Sequence, residues 1–448
     1  MEYYFSKESL IKIFQEYLFK KGGKGIDGVT VHAFQAKLKE NIDIIHNKVL
    51  SSSYKFSPFM EQLISKGRNK NPRLISIPTT RDKLVLFALN KYIQNRYKES
   101  IPSILPNTYI KEIKEYRENY PLDHILRYDI KNFYPSINKC LLFKIINEEI
   151  DDTRATNLLR SALTTPTVPR NCSKSEYKTF KIGGVPQGLS ISNILAELYL
   201  SKIDNHMKKH SKSYWRYVDD IVITCEQHEE KKISDNFETE ISKIHLKINN
   251  EKCASCSISS DFDFLGYTFS DTSISVKKSS EVSYIQKISD IFKWYDESKK
   301  NSEIDKKVLK NALIDLLNER ITGAISDNKR YGWIFYFLEI TDKTILYRTD
   351  AIIRHKISRL SEFTTDPPRL KRLIRAYHEA KHSPLSGYIH DYNKYKTPQD
   401  KLDFLISRCV LTKTDDDKTY SEAEIEARFE QYRNKQLSRL HRDIGVFS

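Results

Sequence analysis

The sequence predicts an α+β fold in which a part with both helices and strands precedes a helical C-terminal part. Two short apolar runs carry carboxylates: one ends at Asp129, and the other contains Tyr217-Val218-Asp219-Asp220. After about residue 280 the strand signals fade, and apolar residues recur at helical spacing, as in 308–317 and 351–357. A chain of 448 residues is long enough for two or three domains with their own cores.

The elements before the first carboxylate follow from local pattern. Residues 7–18 carry apolar side chains at helical spacing, and Gly22-Gly23 is expected to end that helix. Residues 54–80 are predicted to form two short strands around the polar turn 67–71. Residues 81–100 are predicted to be helical.

Adjacent carboxylates within an apolar run need compensation, because they repel each other and are expensive to desolvate. Strand alternation sends neighbouring side chains to opposite faces, so a tight hairpin is needed to bring Asp219 and Asp220 to one site. With Asp129 they could hold two Mg²⁺ ions, which activate a 3′-hydroxyl and stabilise leaving pyrophosphate. Taken singly, such residues are more often solvated turns, caps or ion-pair partners.

A glycine-rich motif lies between these carboxylates, at 183–193. Its Gly/Pro cluster predicts a turn, and Ser190 or Ser192 is expected to cap the helix that follows. Gly188 would let a base and sugar approach the backbone, and Gln187 offers a neutral amide. The alternative is an ordinary loop before an amphipathic helix.

Together these residues resemble a known family. Asp129 with its following aromatics, Pro186-Gln187-Gly188 and Tyr217-Val218-Asp219-Asp220 are similar to reverse-transcriptase motifs A, B and C, in that order. Further segments resemble the pre-fingers region, motif 1 and its helix, motif D and motif E: 22–30, 73–78 with 81–83, 245–252 and 264–267. The resemblance covers about 20–270.

The resemblance implies the fingers–palm fold of a right-hand polymerase, followed by an all-α C-terminal domain in place of a conventional thumb. The expected divisions are an N-terminal helical segment, fingers, a palm with the aspartates and a helical C-terminal domain: 1–55, 56–120, 121–275 and 276–448. A HEAT-like stack of helix pairs is expected from the family alone, since no repeat of fixed period is visible.

Residue roles follow from the same resemblance. Asp129, Asp219 and Asp220 are the implied catalytic acids; with the Ile130 carbonyl they would bind two Mg²⁺ ions, for which Mn²⁺ could substitute. The implied nucleotide-binding residues are Lys66, Arg73, Tyr134, Gln187, Gly188 and Lys252. Tyr134 would act as a steric gate favouring dNTPs, and Lys252 would protonate pyrophosphate. The implied primer grip is Phe264, Leu265, Gly266 and Tyr267.

A narrower resemblance is to the abortive-infection (Abi) group of antiphage reverse transcriptases. It rests on 129–137, 320–323, 331–337 and 340–342. It implies phage defence, protein-primed DNA synthesis without a template, single-stranded DNA attached to the protein, and a homo-oligomer. The priming residue is not identified; Tyr3 and Tyr4 are attractive only if the terminus is mobile.

Two other functions stay open. RNA-templated synthesis, retron-like or of another kind, is the first, so the use of an RNA or DNA template is undecided. The second is a non-catalytic RNA-binding scaffold. The presence of Asp129, Asp219 and Asp220 argues against it, because a scaffold has no need for three converging acids.

The excess of basic residues in the chain is consistent with binding to a polyanion such as nucleic acid. Lys plus Arg number 74 against 59 Asp plus Glu, a net charge of +15 that favours phosphate, although solubility alone could explain it. The basic segment 371–378 is expected to follow a nucleic-acid backbone or to be a solvated helix face, and the charged tail 423–442 to mediate self-association.

Cysteine usage and hydropathy suggest a cytoplasmic protein that does not enter a membrane. Cys253 and Cys256 have zinc-ligand spacing, but no second pair follows, so reduced thiols are expected. No apolar run reaches the roughly 18 residues that span a bilayer, and the start of the chain lacks a signal-peptide pattern.

Overall fold

The computed structural model describes residues 1–18, 23–65, 71–97, 105–180, 183–301, 305–365, 368–411 and 420–443. The chain forms two compact units. The catalytic unit comprises 1–104 and 122–257, and the C-terminal unit comprises 105–121 and 258–448. Residues 105–121 and 258–275, assigned from sequence to fingers and palm, therefore group with the C-terminal unit.

The helices, in chain order, are α1 (Lys7–Ile13), α2 (Val31–Ala36), α3 (Leu38–Leu50), α4 (Thr80–Arg96), α5 (Pro106–Asn119), α6 (Phe133–Ser136), α7 (Lys139–Glu149), α8 (Thr153–Thr164), α9 (Ser192–His210), α10 (Glu230–Lys243), α11 (Lys278–Ser298), α12 (Lys306–Thr322), α13 (Trp333–Tyr336), α14 (Thr344–Ser358), α15 (Leu373–His382), α16 (Pro398–Ser407) and α17 (Glu422–Asp443). The strands are β1 (Phe59–Ile64), β2 (Arg73–Ile77), β3 (His124–Asp129), β4 (Thr167–Val168), β5 (Ser213–Tyr217), β6 (Asp220–Cys225), β7 (Ala254–Ser257), β8 (Phe262–Phe264), β9 (Tyr267–Phe269), β10 (Ile274–Val276), β11 (Ala324–Ser326), β12 (Lys329–Tyr331) and β13 (His390–Asp391).

A four-stranded antiparallel sheet, β5-β6-β3-β7, is central to the catalytic unit. Strand β6 is buried from Ile221 to Cys225, as a continuous apolar run predicts for a central strand. Helices α9 and α10 pack on this sheet; Tyr128 of β3 lies with its ring 4.5 Å from that of Phe237 on α10. The sheet thus holds both carboxylate-bearing runs in one rigid element.

The predictions for the N-terminal part are largely confirmed. Helix α1 continues as a π-helix over Phe14–Leu18, and α4 occupies most of 81–100. Strands β1 and β2 pair antiparallel, as expected for the two short strands, and β4 joins β1 in parallel. Most of the predicted turn between β1 and β2 lies outside the described residues.

The C-terminal unit is mainly helical, but the expectation of an all-α domain is wrong. Strands β12-β11-β13 form a small sheet within it. Asp327 and Asn328, at φ of 50° and 59°, link β11 to β12. Two successive left-handed residues match the twist of a tight hairpin, and Asp and Asn tolerate that conformation better than most residues. The flanking strands have only three residues each, so the sequence around this two-residue turn carries little strand periodicity.

The remaining C-terminal helices agree with the sequence pattern. Segments 308–317 and 351–357 lie in α12 and α14, and Pro398 begins α16 within a Thr397/Asp400 capping box. The charged tail forms α17.

Among the described residues, none of the helices has the length and apolar character needed to cross a membrane.

Candidate active site

Asp129, Asp219 and Asp220 are brought together by the register of the central sheet. Asp129, the last residue of β3, lies directly opposite Asp220, the first residue of β6. Val218 takes φ of 60° in the tight β5–β6 turn, which turns Asp219 back toward β3. The Ile130 amide donates to the Asp219 carbonyl at 3.2 Å and so ties the turn to the end of β3. The structure therefore contains the predicted hairpin.

The negative charge at this site is incompletely balanced. Burial is the main cause that raises the pKa of Asp219 from an ordinary 3.8 to about 6, and the carboxylates of Asp129 and Asp220 contribute to the same rise. Lys252 opposes this shift in the pKa of Asp219. Such a carboxylate favours a nearby cation, because a cation lowers the free energy of its ionised form.

Protein groups contact two of the carboxylates. Lys252 Nζ lies 2.6 Å from Asp129 Oδ1, and Asn249 Nδ2 donates to Asp129 Oδ2 at 3.1 Å. Arg127 Nε lies 3.4 Å from Asp220 Oδ1. Within the described ranges, no three His, Cys, Asp or Glu side chains form a group that could hold a metal ion as they stand. The carboxylate oxygens nevertheless match the ligand chemistry of Mg²⁺.

The predicted gate residue lies beside the acids. Tyr134 is in α6, immediately after β3, and its hydroxyl donates to Asn193 Oδ1 of α9 at 2.7 Å. Burial raises the pKa of Tyr134, with Asp219 adding to the shift and Arg73 opposing it. Tyr134, Asp219 and Arg73 are therefore electrostatic neighbours. Tyr134 is held at one end by the backbone of α6 and at the other by the bond of its hydroxyl to Asn193, and it is only 9% exposed.

The glycine motif connects β2 to this site. The Ser76 amide donates to the Gln187 carbonyl at 2.7 Å, which holds the loop against β2. Gly188 has φ of 99°, and a Cβ there would lie 2.6 Å from Ile75 Cγ2, so only glycine fits without displacement. The expected serine cap is wrong: Ile191 caps α9 without a side-chain bond, and Ser192 Oγ instead donates to the Pro186 carbonyl at 2.5 Å.

Sequence reasoning missed the buried arginine that supports the hairpin. Arg216 of β5 donates through Nη2 to Glu197 Oε2 at 2.6 Å and through Nε to Asp204 Oδ1 at 2.7 Å. Its Nη1 donates to the Val218 carbonyl at 3.1 Å, within the turn that carries Asp219. Burial would lower the pKa of Arg216, but the two acids outweigh it and raise that pKa. The sequence did carry a signal for this ion pair. Arg216 lies in an otherwise apolar strand, and Glu197 and Asp204 are two helical turns apart on one face of α9.

Several predicted site residues lie elsewhere or outside the description. Lys66 is not among the described residues. The primer-grip candidates form the β8–β9 hairpin of the C-terminal unit, where all four are buried. There the Tyr336 hydroxyl donates to the Leu265 carbonyl at 3.0 Å. A role in holding a primer stays a prediction. Cys253 Sγ lies 3.3 Å from the Asn249 carbonyl, on the chain segment that contacts Asp129.

The N-terminus is anchored, so the premise that made Tyr3 and Tyr4 attractive as priming residues is wrong. The Met1 ammonium lies 3.8 Å from Asp152, and Phe5 is fully buried. Tyr4 packs edge-on against Tyr92, with ring centres 5.7 Å apart. Apolar anchoring by Phe5 therefore fixes the first residues on the catalytic unit.

Comparison with known proteins identifies the segment that contains these residues. Residues 64–269 match the family model described as reverse transcriptase (RNA-dependent DNA polymerase). This segment is similar to the reverse-transcriptase family. Members of that family are described as RNA-dependent DNA polymerases. The match spans the Asp129 run, the glycine motif and the Asp219-Asp220 hairpin.

Curated relatives match over part of their length. The group II intron-encoded protein LtrA of Lactococcus lactis is 25% identical over 209 residues, which are 45% of this chain and 34% of LtrA. Protein YkfC of Escherichia coli is 23% identical over 198 residues, 41% of this chain and 49% of YkfC. The chain thus matches half or less of each relative's length.

Two telomerases are among the solved structures that align with this chain, both with a TM-score below 0.5. That of Candida albicans, in complex with a fragment of telomeric RNA, aligns with a TM-score of 0.43 and 12% identity, over 93% of this chain and 66% of that chain. The apo telomerase of Candida tropicalis aligns with a TM-score of 0.41 and 14% identity, over 84% and 68%.

Proposed function

We propose that the protein is a DNA polymerase that joins deoxynucleotides at Asp129, Asp219 and Asp220. The observation that carries this proposal is the register that places Asp129 opposite Asp220 and turns Asp219 toward both. The raised pKa of Asp219 marks a site whose negative charge is incompletely balanced. A non-catalytic RNA-binding scaffold would gain nothing from holding three carboxylates in this way.

Asp129, Asp219 and Asp220 would hold the metal, with the Ile130 carbonyl as an expected further ligand. When bound, two divalent cations supply activation of the attacking hydroxyl and stabilisation of the leaving pyrophosphate. The protein's own part is positioning: Arg216 holds the turn, and Asn249 orients Asp129. The cationic Lys252 lies next to Asp129, where it could donate a proton to the leaving group.

The sugar selectivity follows from Tyr134. Its ring is bulky, buried and anchored to Asn193, so it cannot move aside for a 2′-hydroxyl at low cost. Gly188 lies against β2 with no side chain to block an incoming base. The expected substrates are therefore dNTPs.

The finer proposal is an Abi-type enzyme that acts in phage defence and primes untemplated DNA from its own side chain. Its support is the resemblance to that group of four segments, 129–137, 320–323, 331–337 and 340–342. A priming hydroxyl must be accessible, and the exposed tyrosines outside the anchored N-terminus include, among the described residues, Tyr120 and Tyr347. Homo-oligomer formation belongs to the same proposal.

RNA-templated synthesis is the second candidate, favoured by the family description of 64–269 and by the similarity to LtrA. Protein-primed and RNA-templated synthesis are distinguished by incubating purified protein with labelled dNTPs and Mg²⁺, without primer or template. Label that migrates with the protein and is released by protease supports protein priming. Incorporation only after a primed RNA is added contradicts it and supports templated synthesis.

A further inference from the structure

The last helix of the C-terminal unit presents a stripe of cations to a cavity. Arg428, Lys435, Arg439 and Arg442 recur on α17 at spacings of three, four or seven residues, which places them on one helix face. That face lines a cavity of about 980 Å³, together with residues of α11 and α12. The charged tail thus has a basic face turned toward a concave surface of its own unit.

The charge of this cavity is unbalanced. Seven Lys or Arg side chains line it, against three carboxylates. Asp443 is engaged by Arg320, at 2.5 Å, and by Lys287, at 3.7 Å. Lys435 and Arg439 form no ion pair with any carboxylate in the described part of the chain. Both are exposed, so their charge faces the cavity and solvent.

A buried arginine adds donors to the same wall. Arg408 is only 6% exposed, yet its Nε and Nη1 have no hydrogen-bond partner among the described residues. Its nearest acids are Glu319, 3.7 Å away, and Asp315, 3.9 Å away. Glu319 Oε2 likewise has no hydrogen-bond partner among the described residues, so Arg408 adds a buried positive charge to the wall that Glu319 balances only in part.

Aromatic rings complete the lining. Trp294 of α11 and Tyr432 of α17 both border the cavity and are partly exposed. Cations that follow a phosphate backbone, interleaved with rings on which bases stack, are the combination that binds single strands without sequence preference. A compact anion such as free phosphate would use the cations but not the rings.

We propose that this cavity is a second nucleic-acid site, which binds the phosphates and bases of a single-stranded segment. Arg428, Lys435, Arg439 and Arg442 contact the backbone, and Trp294 stacks on a base. The site goes beyond the polymerase activity, because all of its residues belong to the C-terminal unit.

The test measures binding of a fluorescein-labelled ten-nucleotide oligo(dT) to the full chain by anisotropy, at several salt concentrations. Mg²⁺ and nucleotides are omitted, so the result does not depend on polymerisation. The variant Lys435→Ala/Arg439→Ala should bind about tenfold more weakly, with a log–log salt slope smaller by about 1.4. Lys293→Ala/Lys307→Ala, which removes two exposed cations outside the cavity, should bind like the parent.

A separate variant tests the stacking. Trp294→Ala should weaken binding at least about fivefold without changing the salt slope, a pattern that loss of structure would not give. Equal affinities and slopes for Lys435→Ala/Arg439→Ala and the parent would overturn the proposal.

Discussion

At the residue scale, the three aspartates differ in how far neighbouring side chains balance their negative charge. Asp129 is held by Lys252 and Asn249, whereas the pKa of Asp219 is raised to about 6. The acids thus differ in environment despite lying together, and Asp219 gains most from an added cation. Sequence could predict the acids from their apolar flanks. It could not predict the contact of Asn249 with Asp129, because the resemblance of 245–252 to motif D assigns Asn249 no role.

Tyr134→Ala should admit rNTPs, because it removes the ring that would clash with a 2′-hydroxyl. We expect the preference for dNTPs over rNTPs, measured from kcat/KM for each, to fall at least about tenfold, roughly the effect of losing 1.4 kcal/mol of discrimination. Tyr134→Phe is the matched control, since it removes only the hydroxyl bonded to Asn193 and keeps the bulk. Unchanged selectivity in Tyr134→Ala would reject the gate role.

At the element scale, the β5–β6 hairpin is a rigid support rather than a free turn. Arg216 links the Val218 carbonyl to Glu197 and Asp204 on α9, so the position of Asp219 depends on a helix that carries no catalytic acid. The hairpin could be predicted from the sequence alone. Its support could not, because that requires knowing which face of α9 meets β5.

Arg216→Ala should destabilise the catalytic unit and impair incorporation together. Removing one partner of a buried ion pair leaves Glu197 and Asp204 uncompensated, an effect on the order of 3 kcal/mol. We expect a lower urea midpoint by circular dichroism and a kcat reduced more than KM is raised. Arg160→Ala, at an exposed position of α8, should leave both unchanged. Normal stability of Arg216→Ala would contradict the supporting role.

At the scale of the whole molecule, the two units differ in how well sequence predicts them. In the catalytic unit, motif spacing and apolar runs predict the central sheet. In the C-terminal unit, helical periodicity predicts α12, α14 and α17, but not the β11–β12 hairpin or the cavity that α17 lines. Those features depend on contacts distant in sequence, and three-residue strands leave little periodic signal.

The C-terminal unit should lose stability in mild acid through His390. Burial lowers the pKa of His390 well below its ordinary 6.5, and the cations Arg408, Lys394 and Lys371 lower it further. Well above pH 6.5 the His390 ring is neutral in both the folded and the unfolded chain, so burying it costs no protonation free energy and stability is highest. As pH falls below 6.5, the unfolded chain takes up a proton that the folded chain does not, and stability falls.

Urea unfolding of the parent and His390→Gln at pH 7.5 and 5.0 measures this effect. We expect the parent to lose about 2 kcal/mol more than the variant over that interval, since glutamine does not titrate. Equal losses in the two proteins would show that His390 takes up its proton in the folded state.

The most direct test of the polymerase assignment is nucleotide incorporation by Asp219→Asn/Asp220→Asn. The measurement follows labelled dNTP with Mg²⁺, both without template and on a primed RNA. Asp151→Asn/Asp235→Asn, which neutralises two exposed acids of the same unit, is the charge-matched control. We predict that the catalytic variant keeps its circular dichroism spectrum and loses incorporation under both conditions, whereas the control keeps both. Incorporation at the parent's rate by the folded Asp219→Asn/Asp220→Asn protein would contradict the assignment.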